Sequence, residues 1–403
     1  MLALLALAAG TLSSCSEDED FRGCTTVLPL HPDPTGNHDT IQGALGNAQP
    51  GQVICFHEGV YKLHDELTLT TSGVELRGSN TEVGTVLDFD GQQSGANGLS
   101  VTADHFKLTR ITVMNTAGDA VRVDKSDDVT FSFVTVTWKG PSSQNGAYGL
   151  YPVESHHVII DHCKVSFASD AGIYVGQSDH VIVRQSEALH NVAGIEIENT
   201  TDAEVVDNYA HDNVGGILVF NLPNLPVKDG KRAKVHGNRV LNNNQQSFAA
   251  PGSIVSMVPS GTGMLVLSTD FNELHNNTVA GNQSVGLAVI SYLLIGRSDY
   301  MTDMQYDLYP QGNYIHDNQF SHNGYNPQDV ALVLAAGIGM HTVPDLLWDG
   351  YVDAMRTDPS LRNCFQANTG SFVFMDAQNR FHAPSTDIAP YTCTGTALPA
   401  VTW

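Results

Sequence analysis

The sequence predicts an all-β solenoid: a single-stranded, right-handed parallel β-helix with a helical cap at its N-terminal end and an irregular cap at its C-terminal end. Three observations predict it. One glycine-led tetrad returns every 22 residues, as Gly172-Ile173-Tyr174-Val175, Gly194-Ile195-Glu196-Ile197 and Gly216-Ile217-Leu218-Val219. The apolar alternation within it has a period of two rather than 3.6, which belongs to strands and not helices. Twenty-two residues at about 3.3 Å each make a rung about 70 Å around, enough for three short strands and their turns. A unit this small cannot bury an apolar face alone, so the units must stack. Right-handedness follows from the general preference of parallel crossovers.

Outward from these three rungs the tetrad recurs as Gly98-Leu99-Ser100-Val101, Ala120-Val121-Arg122-Val123, Gly149-Leu150-Tyr151-Pro152, Gly263-Met264-Leu265-Val266 and Gly286-Leu287-Ala288-Val289. A second strand follows each, as in Val181-Ile182-Val183 or Ala203-Glu204-Val205. Asparagines then recur at the turns, at 208, 238, 277 and 318 and again at 191, 213, 243, 282 and 323. Asn tolerates left-handed backbone and can bond to an Asn stacked above it.

In chain order, Met1 to Gly10 is an apolar run too short to span a bilayer. The Leu12-Ser13-Ser14-Cys15 that follows resembles a bacterial lipoprotein signal. That resemblance implies removal of residues 1–14, lipidation of Cys15, and a place in the bacterial cell envelope as an outer-membrane lipoprotein or in the periplasm. Residues 15–23, with Glu17-Asp18-Glu19-Asp20, read as a solvated acidic tether. Membrane contact is expected only through the anchor, and the protein is expected to be a monomer.

Residues 24–342 are assigned to the β-helix and its N-terminal cap. Ile41-Gln42-Gly43-Ala44-Leu45 reads as a short amphipathic helix, followed by Pro50-Gly51-Gln52-Val53-Ile54 and Gly59-Val60-Tyr61. An open solenoid end exposes strand edges and core, and such a helix would cover them. This run resembles the start of secreted β-helix proteins of the pectin-lyase-like superfamily. The resemblance extends over roughly residues 38 to 325, and the three central tetrads resemble one branch of bacterial right-handed β-helix repeat lipoproteins, for which it implies a fold and no activity. More distant resemblances are to polysaccharide lyases, mannuronan epimerases and the periplasmic copper-delivery factor of nitrous oxide reductase. The Asp-Pro-His-Asp associated with the epimerases does not occur in this sequence.

Insertions interrupt the repeat at Lys139 to Ala147, Asn221 to Arg232 and Gln245 to Thr262, and suggest a walled groove. Residues 343–403 form the C-terminal cap region, with a helix expected over Val343 to Met355 from Leu346, Leu347, Val352 and Met355.

Of 403 residues, 43 are acidic and 19 basic, for a net charge of −24. This repels nucleic acid, whose binding needs Lys and Arg at phosphates, and favours cations or neutral partners. The six cysteines include no Cys-x-x-Cys pair, so no zinc pattern is present. Cys24 and Cys55 bracket the N-terminal cap, and Cys364 and Cys393 bracket the C-terminal segment. Two disulfides in an oxidising compartment are expected from this placement, with four buried thiols as the alternative. Cys163 falls at an inward position and reads as a small core residue.

Because the strand alternates, the third tetrad residue should point outward. Stacking then builds an exposed column of Ser100, Arg122, Tyr151, Tyr174, Glu196, Leu218, Leu265 and Ala288, flanked by Thr102, Asp124, Val153, Gly176, Glu198, Phe220, Leu267 and Ile290. The middle of this face suits a uronic acid sugar. Asp124, Glu196 and Glu198 are candidate ligands for a hard cation such as Ca²⁺, which would neutralise the substrate carboxylate. Arg122, Tyr151, Tyr174 and Lys139 are candidate catalytic groups, with a Tyr or Lys removing the acidified proton in β-elimination or epimerisation. The same residues also read as ordinary solvated groups on a sheet face. A second column carries His236, His275 and His316 on consecutive rungs about 4.8 Å apart, an alternative site for Cu or Zn. The sequence thus supports a polysaccharide-binding or polysaccharide-modifying protein, a lyase or epimerase if catalytic, with a non-catalytic, metal-binding scaffold as the alternative.

Overall fold

The computed structural model describes residues 21–402 and shows a right-handed parallel β-helix. Three parallel sheets run its length. Among the described residues, sheet I has twelve strands from Thr26–Leu28 to Cys364–Gln366, sheet II has ten from Gly59–Lys62 to Gln319–Ser321, and sheet III has eleven from Asp65–Leu69 to Phe372–Phe374. Each rung passes from sheet III to I to II. The tetrads are the sheet III strands, and their second and fourth residues, such as Ile173, Val175, Ile195 and Ile197, fill one continuous core. Fully burying an Ile or Val side chain contributes about 1.5–3 kcal/mol, repeated here at every rung.

The N-terminal end is closed by the helix Pro34–Gly46, started by Pro34 and by Asp33, whose Oδ1 accepts from Gly36 N at 2.8 Å. Its Ile41 and Leu45 are buried in the first rungs. Cys24 and Cys55 are bridged, as are Cys364 and Cys393, and Cys163 is a buried free thiol.

The turn asparagines do a different job from the one their backbone tolerance suggests. The left-handed position goes to the residue before each Asn, namely Asp207, Gly237, Asn276 and Asp317, or Asp212, Asn242 and Gly281. The Asn itself turns inward and bonds to its counterpart on the next rung. One ladder runs Asn191, Asn213, Asn243, Asn282, Asn323 and ends on Asp345, with side-chain bonds of 2.9–3.1 Å. The other runs Asn208, Asn238, Asn277, Asn318, Asn368. These bonds satisfy turn amides that would otherwise be buried unpaired. The ladder also explains the tetrad's leading glycine: a Cβ on Gly172 would lie 2.6 Å from Asn191 Nδ2.

The coil continues past residue 342. Leu346–Trp348 is a strand of sheet III, paired with Val285–Ile290, where the sequence suggested a helix over Val343 to Met355. The apolar spacing that suggested a helix combines this strand with later loop residues, of which Met355 is exposed. The helix of this region is Asp329–Gly337, upstream. Residues 1–14 and Cys15, the expected signal and lipidation site, lie outside the described residues. Among the described residues no helix is long and apolar enough to cross a membrane.

The long insertions all lie beside sheet III. Residues 139–147, 242–261 and 322–345 precede its strands, while 221–233 and 291–313 follow them. By contrast, the corner between sheets I and II stays at two residues through the central rungs, as at Asp207-Asn208. Sheet III is therefore the floor of a trough with a wall on each side.

Candidate functional site

The outward column of sheet III is aligned as its spacing requires. Arg122 pairs in register with Ser100 and Tyr151, and Tyr174 with Glu196, which pairs with Leu218. Leu150 opposite Ile173 places Tyr151 over Tyr174. The expected exposure is corrected, however: Tyr174 is 3 % exposed, Glu196 2 % and Glu198 6 %. The insertions on both edges fold over the sheet and make a second apolar core in which Tyr174, Leu218, Phe220 and Leu265 meet Val255, Val258, Tyr292 and Tyr306. From Phe220 to Leu347 the outward face is the floor of a covered pocket, and from Tyr174 to Leu218 it is a buried strip.

At its open end Arg122 holds Asp124 through two hydrogen bonds of 2.7 and 2.9 Å and lies 4.9 Å above the Tyr151 ring. Tyr148, Tyr151 and Tyr174 form a triangle with ring centroids 4.5–4.9 Å apart. Deeper in, the Tyr174 hydroxyl donates to Glu198 Oε1 at 2.9 Å. Gly176, between Val153 and Glu198 in its column, makes room for this: a Cβ there would lie 2.2 Å from the Tyr174 hydroxyl oxygen. Glu196 Oε2 is buried with no hydrogen-bond partner.

Burial and mutual repulsion keep protons on these acids. Desolvation pushes Glu198 up to about 7, against the opposing bond from Tyr174. Asp170 rises to about 8 through burial and the nearby charges of Glu198 and Asp119. Glu196 is driven well above the carboxylate range by burial, Asp170 and Glu198. At neutral pH the pocket therefore pairs protonated acids with one carboxyl poised to ionise. Burial also raises Tyr174 and takes Tyr151 to about 12, so neither is an ionised base by itself.

Asp119, Tyr148 and Asp170 belong to the site but escape the alternation rule. The strand bends at its leading glycine, so position 171 faces outward although 172 packs on the Asn ladder. Asp119, which accepts from Tyr148 N at 3.1 Å, shares that column with Tyr148 and is pushed by burial to about 6. An acidic residue one or two positions before a tetrad, as in Asp119-Ala120 and Asp170-Ala171-Gly172, is the signal the sequence offers.

Other candidates are not brought here. Asp124 occupies the same column as Glu198 but three rungs away, about 14 Å, so Asp124, Glu196 and Glu198 cannot share one ion. Lys139 is exposed and paired to Asp90 Oδ1 at 2.7 Å, at the edge of sheet II. His236, His275 and His316 are aligned, but their rings lie parallel, at centroid distances of 4.8 and 5.0 Å and interplanar angles of 2° and 8°. Imidazole lone pairs lie in the ring plane, so parallel rings do not converge on one metal. Two of them reach back to the preceding rung: His236 Nε2 to Glu204 at 2.8 Å and His316 Nε2 to Glu273 at 3.1 Å. For His275 the matching residue is Lys234, which cannot accept, and its Nε2 is left without a partner. Among the described residues, the group of three His, Cys, Asp or Glu side chains close enough to share an ion is Asp127, Asp128 and His157, on two neighbouring strands of sheet I.

A family described as "Right handed beta helix region" matches residues 97–279. Among solved structures, the chain is similar to an alginate lyase from Paenibacillus sp. str. FPU-7, with a TM-score of 0.51 at 17% identity over 76% of this chain and 99% of that one. It is similar to the A-module of the Azotobacter vinelandii mannuronan C-5 epimerase AlgE4, with a TM-score of 0.51 at 13% identity over 84% and 91% of the two chains. At such identities the likeness is one of fold. No curated protein sequence matches the chain.

Proposed function

We propose that this chain, a right-handed parallel β-helix of the pectin-lyase-like superfamily, acts on a polysaccharide by proton transfer at the Tyr174–Glu198 pair. The observation that carries the proposal is Glu198 itself, a buried carboxyl held near about 7 and bonded to a tyrosine in a trough whose mouth is aromatic. A base with a pKa near the working pH is the efficient one.

The reaction class that fits is abstraction of the proton beside a uronate carboxylate, leading to elimination or epimerisation. The sugar ring would stack at Tyr151, with Arg122 in reach of a carboxylate on the chain. Tyr174 would take the ring proton as its own passes to Glu198. The protonated carboxyls of Asp170 and Glu196 would donate hydrogen bonds to the substrate carboxylate, the part first assigned to a cation. Ca²⁺ would compete with those protons, so its effect is part of the test. Two disulfides suit an oxidising compartment, where such polymers occur.

The test is a panel of polyuronates, each with and without Ca²⁺. Ultraviolet absorbance reports an unsaturated product, and proton exchange at the sugar followed by NMR reports epimerisation. Activity lost in Glu198→Gln is the expected result. New reducing ends without absorbance or exchange would move the reaction to hydrolysis and overturn the elimination chemistry.

A further inference from the structure

Beyond Glu198, on the rungs toward the C-terminal end of the coil, the same face of sheet III changes character. Phe220, one rung beyond Glu198, begins a floor that continues through Leu267 and Ile290, beside Leu265, Ala288 and Leu347. This floor spans about 14 Å along the axis. The wall on one side comes from Ile254–Pro259 and the helix Asp329–Gly337, and on the other from Leu294 and Ile295. Together they leave a narrow cavity of about 90 Å³.

The lining is apolar but for Thr262, whose hydroxyl is already bonded to Pro259 O at 2.8 Å. A sugar or peptide here would leave its polar groups unpaired at a cost of kilocalories each. Hydrocarbon would not. The mouth is also apolar: Met257 and Val330 line the pocket and are 39 % and 43 % exposed, and Leu332 and Val333 on the same helix as Val330 are more exposed still.

Resting on the proposed sugar chemistry one rung away, we infer that this pocket is a subsite for the hydrocarbon tail of a glycolipid-type substrate. The sugar lies over the tyrosines and the tail runs down the floor past Phe220. An acylated or lipid-linked glycan, rather than a bare polymer, is then the substrate class that uses the whole trough.

Titration calorimetry of the full chain with octyl, decyl and dodecyl maltoside, each below its micelle concentration, tests this against maltose alone. Affinity should rise about fourfold per added methylene until the floor is filled. Val330→Glu at the half-exposed mouth should abolish that dependence, and Ala288→Trp should block the floor. Glu198→Gln should lose turnover yet keep the chain-length dependence, so failure of the chemistry and failure of the tail site are separable. Affinity independent of chain length, or unchanged by Val330→Glu, would overturn the inference. Lauric acid binding as tightly as dodecyl maltoside would overturn the glycolipid assignment, because the sugar end would then contribute nothing.

Discussion

Tyr174 reaches Glu198 because the residue paired with Glu198 in its column is Gly176: the tyrosine ring lies where a side chain at 176 would be, and its hydroxyl meets Glu198 Oε1 at 2.9 Å. The two residues are one rung apart and out of register, since Tyr174 itself pairs with Glu196. The bond exists only through the missing Cβ.

Gly176→Ala should therefore separate the pair without unfolding the coil. The expected result is a fall in kcat of about 10²–10⁴-fold, similar to Glu198→Gln, which is the usual contribution of a positioned acid–base group. Circular dichroism should stay unchanged. A Gly176→Ala protein with full activity would remove Tyr174 from the reaction.

Stability should fall as the pH rises. Asp170 goes from 3.8 to about 8 on folding and Glu198 from 4.5 to about 7. A group whose pKa is raised in the folded state contributes fully below its unfolded pKa and loses that contribution as pH climbs through the folded one. From about pH 5 both groups, Glu198 up to about pH 7 and Asp170 up to about pH 8, should lower stability by on the order of 1 kcal/mol per unit. Asp170→Asn, neutral at every pH, should flatten the decline in Tm, measured calorimetrically at several pH values.

The Asn ladders should be among the most sensitive positions. Asn213 accepts from Asn191, donates to Ala188 O at 2.9 Å and donates to Asn243 Oδ1 at 2.9 Å, all fully buried. Asn213→Leu leaves these partners unsatisfied at about 1–3 kcal/mol each. Urea unfolding should show a loss of several kcal/mol, and Asn213→Asp should lose at least as much at neutral pH, because its second oxygen cannot donate to Ala188 O or Asn243 Oδ1 and its charge is buried.

The C-terminal segment should detach in acid. Leu398 N donates to Glu273 Oε2 at 2.8 Å, and Val401 N donates to Glu204 Oε2 at 2.9 Å. Burial pushes Glu204 up, but the bonds from His236 and Val401 outweigh it and leave it below its ordinary value. A lowered carboxyl stabilises above its unfolded pKa and ceases to do so as pH falls through the folded one. Protection of the Val401 amide, taken relative to its intrinsic exchange rate at each pH, should be high at pH 6 and lost well below pH 4, and Glu204→Gln should lower it already at pH 6.

The rungs, their register and the inward core were legible because a period of two and a glycine at each corner are local properties of the chain. What covers the outward face was not. Residues 291–313 and 322–345 have no periodicity to mark them, yet their Tyr292, Tyr306, Ala335 and Val343 join Tyr174 in the second apolar core. The alternation also misled at the corner itself, where the Asn ladder forces a bend and brings Asp119, Tyr148 and Asp170 outward. For the histidines, sequence placed His236, His275 and His316 in one column correctly, but ring orientation depends on a carboxylate one rung back, at Glu204 and Glu273.

The two-residue corner between sheets I and II keeps every storey the same height whatever grows at the other two corners. Loops beside sheet III can therefore be exchanged as cassettes, for instance residues 245–262 from a related coil, with the scaffold's pitch left intact. A protein built this way can change what it handles by altering its walls alone, and selection for new substrates need never touch the frame.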